Sequence, residues 1–283
     1  MMVLQNIQVS RSKRCILSAI NLKLIPGEVT IVIGVNGAGK SSLVRLLSGE
    51  WQPDAGNISW QGTPLSSAPP LDMARSRAVV NQQADLRFDF TVREVVEMGR
   101  FPLRQTSPAQ LELSIDTALE EVDLLRHAHK KCTRLSGGEQ KRMLLARAMV
   151  QLTEARTAGE GVLILDEPTA HLDLRHQELL LQSMRNRAAE GLAVFAVLHD
   201  LNHAARVADQ LVIVHHGCIL KSGTVDDVMD PELLSGIYGI PLERVDTPGH
   251  CPNWISPAPQ KKSSIPNPNL QNNHEKHLLI PTP

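Results

Sequence analysis

Three short segments, Val29–Ile33, Gly161–Leu165 and Leu192–Leu198, are largely apolar with no alternation toward polar residues. A strand with one wet face alternates. A strand-length run that does not alternate predicts a strand covered on both faces, as in a parallel sheet flanked by helices. Shorter strand-like stretches, Val3–Val9, Ile20–Leu24 and one near Asn57–Gln61, surround the first run, with turn signals at Pro26-Gly27 and Pro53-Asp54-Ala55-Gly56. Helical spacing marks Ser41–Ser48, with Leu43, Leu46 and Leu47 on one face, then Val92–Met98, Pro108–Leu125 and Gly137–Leu152. Residues from about 84 to 159 therefore read as mostly helix. This order of elements predicts an α/β fold with central parallel strands. From Pro241 onward the pattern fades. Nine of the 18 prolines fall in residues 241–283, among Asn, Ser and Gln, which predicts a Pro-rich extension that is disordered over 260–283.

Composition narrows the possibilities. A chain of 283 residues holds one large domain or two modest ones. Lys and Arg number 29 against 30 Asp and Glu, a balance that speaks against a nucleic-acid partner. No apolar run approaches the roughly 20 residues of a membrane-spanning helix, and the first residues lack the apolar core of a signal peptide. The expectation is a cytoplasmic protein whose membrane role, if any, comes through a partner. Cys15, Cys132, Cys218 and Cys251 are scattered without a Cys-x-x-Cys pair, which predicts reduced thiols and neither a disulfide nor a metal site.

The candidate chemistry sits at the ends of the apolar strands. Gly34-Val35-Asn36-Gly37-Ala38-Gly39-Lys40-Ser41 follows the first of them and opens a helix that continues through Ser42, the setting of a phosphate-binding Walker A loop. A loop that wraps phosphates with backbone N–H groups needs small residues at close approach, here Gly34, Gly37, Ala38 and Gly39, and it aims a helix N-terminus at the anion. Lys40 offers a point charge to the β- and γ-phosphates and Ser41 a hydroxyl to Mg²⁺. The second apolar strand ends in Asp166-Glu167. Ligands of open α/β sheets sit at the carboxyl ends of strands, so Asp166 is the candidate Mg²⁺ holder and Glu167 the candidate base or positioner of water. His199, at the end of the third strand, falls on the same edge and is a candidate partner of the γ-phosphate and the attacking water. Ser136-Gly137-Gly138-Glu139 reads as a capped helix start, Ser136 and Glu139 forming a capping box. Two glycines there are poor helix formers, by about 1 kcal/mol each against Ala in an interior. Their presence suits a helix end that an anion approaches closely.

Leu135-Ser136-Gly137-Gly138-Glu139-Gln140 resembles the signature of the ATP-binding-cassette family, and the resemblance extends over roughly residues 2–240. It implies a P-loop NTPase core with a mostly parallel sheet, an N-terminal antiparallel β subdomain and an inserted α-helical subdomain at about 84–159. Residues 2–240 would be the nucleotide-binding domain and 241–283 an extension. The implied cofactors are ATP and Mg²⁺. The implied assembly is head to tail, each ATP lying between one chain's Walker A loop and the other's Ser136, Gly137, Gly138 and Glu139. The chain carries one set of motifs and no repeat, so two copies are needed. Gln82, beside Gln83, matches the glutamine that links the γ-phosphate and Mg²⁺ site to the membrane partner. Thr169-Ala170-His171-Leu172-Asp173 matches the D-loop, with Asp173 at the interface. Where the family usually carries an aromatic residue against adenine, this chain has Arg11, whose guanidinium can stack on a base.

Finer resemblances lie outside the ATP motifs. His199-Asp200-Leu201-Asn202 and Phe90–Arg100 are similar to the group that imports ferric siderophores, haem and cobalamin. Arg77–Gln83 and Leu172–Gln177 look most like its hemin-import members. The implied partners are a second copy, two transmembrane permease subunits and, indirectly, a periplasmic hemin-binding protein. The implied location is the cytoplasmic side of a bacterial inner membrane, with no direct cargo binding. A siderophore or cobalamin importer is the alternative cargo assignment, and a non-transport cassette ATPase would share the ATP motifs. A translation-factor cassette would carry two motif sets, and a DNA-repair cassette a long coiled coil before the signature.

Overall fold

The computed structural model describes residues 1–81 and 89–245 and the backbone of 254–257. The chain begins with β1 (Met2–Arg11), β2 (Arg14–Leu24), β3 (Val29–Ile33), α1 (Lys40–Leu47), β4 (Ala55–Trp60) and β5 (Thr63–Pro64). It continues with α2 (Pro70–Ser76), β6 (Arg77–Val80), α3 (Val92–Glu97), α4 (Pro108–Glu121), α5 (Gly137–Gln151) and α6 (Thr153–Ala158). The second half holds β7 (Val162–Asp166), α7 (Leu174–Ala189), β8 (Ala193–Val197), α8 (Leu201–Val207), β9 (Gln210–His215) and β10 (Cys218–Gly223). It closes with α9 (Val225–Val228), α10 (Pro231–Tyr238), β11 (Leu242–Val245) and β12 (Trp254–Pro257).

Six strands form the central sheet in the order β10-β9-β3-β8-β7-β6, parallel from β9 to β6 with β10 antiparallel at the edge. Every residue of β3, β7 and β8 is buried, which accounts for their lack of alternation. Val29, Ile31, Leu163, Leu165, Val194 and Ala196 face the helices α3–α5, α7 and α8. Val32, Val162, Ile164, Phe195 and Val197 face the other way, onto α1 and a second sheet. That second sheet is antiparallel, β2-β1-β4-β5, and supplies Met2, Leu4, Ile7, Leu17, Ile20 and Ile58 to the same core. The α/β class, the parallel core, the antiparallel N-terminal subdomain and the helical insertion all stand as the sequence predicts.

Helix α4 stops at Glu121, short of the expected Leu125, although Val122 and Leu124 keep the apolar pattern going. Asp123 takes a left-handed conformation (φ 56°), and Arg142 of α5 donates to the freed carbonyls of Val122 (2.5 Å) and Asp123 (3.0 Å). A guanidinium from another helix caps this end, so the stop has no local signal. The expected extension from 241 opens with antiparallel pairing of β11 and β12, β12 lying against α8. Residues 260–283 lie outside the described residues. Among the described residues, no helix is long and apolar enough to cross a membrane. Cys15, Cys132 and Cys218 stand in no disulfide among the described residues, and Cys251 lies outside them.

Candidate functional site

Strand order brings the candidate residues together. β8 lies between β3 and β7, with Val197 paired to both Val32 and Asp166. The carboxyl ends of the three strands therefore deliver the Gly34–Ser41 loop, Asp166-Glu167 and His199 to one edge of the sheet. The Lys40 side chain is buried and folds back on its own loop, donating to the carbonyls of Gly34 (2.7 Å) and Val35 (2.9 Å). Burial pulls the Lys40 ammonium below the ordinary lysine range, and the nearby Glu167 and Asp166 carboxylates push it back up. Asp166 shows the reverse. Burial and then the Glu167 charge raise its carboxyl above the usual range, while Lys40, Arg45 and His199 lower it. His199 Nε2 stands 2.6 Å from Glu167 Oε1.

Walker A glycines serve packing behind the loop as well as access in front of it. At Gly34 (φ 147°) a Cβ would meet the carbonyl oxygen of Val214 at 2.2 Å, and at Gly39 it would meet Leu17 at 2.8 Å. Only Gly37 faces open space. At Gly34 and Gly39 the chain's own packing therefore demands glycine, in addition to any demand an approaching phosphate would make. Asn36 and Ala38 lie in the loop itself, and Ser41 and Ser42 in the first turn of α1.

One observation at this edge of the sheet fits Mg²⁺. Asp166 Oδ1 is buried with no hydrogen-bond partner among the described residues, a costly condition unless a ligand supplies one. Among the described residues no three His, Cys, Asp or Glu side chains gather around a point where a metal could sit. A single unpartnered carboxylate oxygen of this kind suits Mg²⁺, which takes one or two protein oxygens and fills its shell with water and phosphate.

The signature segment is a helix start as predicted. Ser136 Oγ accepts from the Glu139 N–H (3.2 Å), and Glu139 Oε2 accepts from the Ser136 N–H (2.7 Å). That backbone bond holds the Glu139 carboxyl below its usual range, with Lys130 and His127 helping. The two glycines differ. A Cβ on Gly137 would meet nothing, leaving bare backbone for an approaching anion, whereas on Gly138 it would meet the His171 carbonyl at 3.0 Å. Ser136→Ala should lower stability by about 1 kcal/mol through the lost cap, read by urea denaturation; an unchanged midpoint would separate the box from helix stability. Asp173 caps α7, accepting from the His176 N–H (2.9 Å), and it is mostly exposed.

Arg11 is engaged within the chain. Its guanidinium lies 4.6 Å from the Trp51 ring centroid and 3.4 Å from Asp54, and Arg45 approaches the same ring at 5.0 Å. Sequence reasoning passed over Trp51, although so few aromatics occur in the chain that this one, just after the Walker A helix, was a signal. Gln82 lies outside the described residues. Lys141 was also unassigned, yet its Nζ donates to the Glu167 carbonyl (3.0 Å).

Comparisons with known proteins agree with this geometry. Residues 17–170 match the family described as ABC transporter. The chain is 41% identical over 224 residues to the hemin import ATP-binding protein HmuV of Rhodopseudomonas palustris (strain HaA2), covering 79% of this chain and 84% of that one. It is 40% identical over 237 residues to the protein of the same name from Agrobacterium fabrum, covering 83% and 90%. Among solved structures, an ATP-binding subunit of an ABC transporter superposes with a TM-score of 0.72 at 25% identity, over 84% of this chain and 94% of that one. A putative metal-chelate type ABC transporter in an inward-facing conformation gives 0.73 at 23%, over 90% and 96%, a likeness of fold.

Proposed function

The chain belongs to the ABC transporter family, as an ATP-hydrolysing importer subunit, and from that premise we propose that the importer it drives carries hemin. The observation behind the cargo assignment is identity of about 40% to hemin import ATP-binding proteins along most of both chains. Residues 2–240 act as the nucleotide-binding domain, with a helical subdomain at about 84–159 and an extension at 241–283.

In this reading the backbone of Gly34–Lys40 and the Lys40 ammonium hold the β- and γ-phosphates, with Ser42 beside them and Arg11, backed by Trp51, under the base. Ser41, Asp166 and Gln82 would hold Mg²⁺, which neutralises charge on the phosphate oxygens when bound. Glu167 orients the attacking water and takes its proton, and His199 keeps the Glu167 carboxylate on that line. A second copy, lying head to tail, presents Ser136, Gly137, Gly138 and Glu139 to the γ-phosphate, with Asp173 at the seam. Phosphoryl transfer of this kind rests on positioning and electrostatics, so bringing the two halves together is itself the catalytic event. Dimerisation and union with permease subunits go with the family. The finer partners are two permease chains on the cytoplasmic side of an inner membrane and a periplasmic hemin-binding protein that this chain never touches. A groove on the helical subdomain, lined by Phe90, Met98 and the 76% exposed Phe101 together with the charged Glu94, Glu97 and Arg100, offers the permease a seat.

Reconstitution tests the cargo. Vesicles holding this chain and its permease should take up hemin only with ATP inside the chain's compartment. Uptake of a ferric siderophore or cobalamin in place of hemin would overturn the assignment.

A further inference from the structure

The catalytic carboxylate stands on an unfavourable backbone. Glu167 has φ 48°, the left-handed region that side chains other than glycine rarely adopt. It also precedes Pro168, which biases the residue before it toward extended conformations. Such a conformation costs about 1–3 kcal/mol and persists only where its surroundings hold it. Two donors converge on the Glu167 carbonyl: the Ala170 N–H within the same turn (3.3 Å) and the Lys141 ammonium (3.0 Å). The second comes from a different subdomain.

Lys141 belongs to α5, the helix whose first turn is the signature segment. Lys141 lines a small cavity together with Leu145, Leu165, Pro168 and Leu172. Burial lowers its pKa, but Glu167 and then Asp166 act against that, and the group remains a donor. One side chain thus links a helix whose tip serves the opposing copy's nucleotide to the base that serves this copy's own.

We propose that Lys141 is a positioning residue: by donating to the Glu167 carbonyl it holds the base in its left-handed conformation and ties its aim to the placement of the signature helix. This rests on the assignment of Glu167 as base. A shift of α5 when the second copy closes would reach Glu167 through one hydrogen bond, so each copy's grip on its partner's ATP would bear on its own hydrolysis.

The test uses the full chain and separates rate from binding. Lys141→Met keeps the apolar stem and removes the donor. Lys141→Gln removes the charge and keeps a donor. Lys141→Met should lower kcat at least tenfold, with the Kd for a fluorescent ATP analogue within twofold of wild type, and Lys141→Gln should recover most of the rate. Should Lys141→Met fail to fold, Lys141→Ala takes its place in the same comparison. A kcat within twofold of wild type without the donor would overturn the proposal, as would a Lys141→Gln chain as slow as Lys141→Met. Glu167→Gln run alongside keeps the two assignments apart: if it is inactive while Lys141→Met is not, only the role of Lys141 fails.

Discussion

Glu167→Gln leaves ATP bound and hydrolysis stopped. The substitution keeps shape and volume, so the Glu167-Pro168 turn and the packing behind it stay in place. It removes the property that the proposed mechanism requires there, a carboxylate that accepts a proton from water. General-base contributions run at about 10²–10⁴-fold, so steady-state turnover should fall by at least about 10². ATP affinity should hold within a few-fold, because the proposed function assigns the grip on the phosphates to Lys40 and the loop and not to Glu167. Binding without turnover should then trap the closed form, and size exclusion with ATP and Mg²⁺ should show a dimer that the unsubstituted chain forms only transiently. Unchanged turnover would remove Glu167 from the mechanism.

Lys40→Ala fails one step earlier, at binding. The Lys40 ammonium is enclosed by its own loop, bonded to the carbonyls of Gly34 and Val35, with Asp166 and Glu167 close by. Replacing it removes the ammonium that the loop encloses and leaves Asp166 and Glu167 less well balanced by the remaining positive groups. Truncating one partner of a buried, hydrogen-bonded charge pair costs about 2–5 kcal/mol. At 25 °C even the lower bound weakens binding by about thirtyfold. Titration with a fluorescent ATP analogue reads the loss directly, and a thermal melt without nucleotide confirms that the fold survives. A Kd within threefold of wild type would mean that the backbone cradle alone carries the affinity. Those two outcomes together would divide the site into a residue that governs rate and one that governs binding.

What the sequence determined is whatever a few neighbouring residues settle among themselves. The non-alternating, largely apolar runs at Val29–Ile33, Val162–Leu165 and Leu192–Leu198 identified the doubly covered strands, because a side chain's facing direction follows from the residue-to-residue period. The spacing of Gly34, Gly37, Gly39 and Lys40 marked the phosphate loop, and Ser136 with Glu139 the helix start, since a cap is closed within one turn. Tertiary structure decided the relations between distant residues. Strand order placed β8 between β3 and β7 and so set His199 against Glu167. The Val214 carbonyl and Leu17, both remote in sequence, are what exclude a side chain at Gly34 and Gly39. Arg142 ends α4 from another helix, and Lys141 reaches the Glu167 carbonyl across 26 positions. Periodicity and caps are short-range physics and can be read in place. Hydrogen bonds and close contacts between separated segments exist only once the core has brought them together, and no local pattern encodes them.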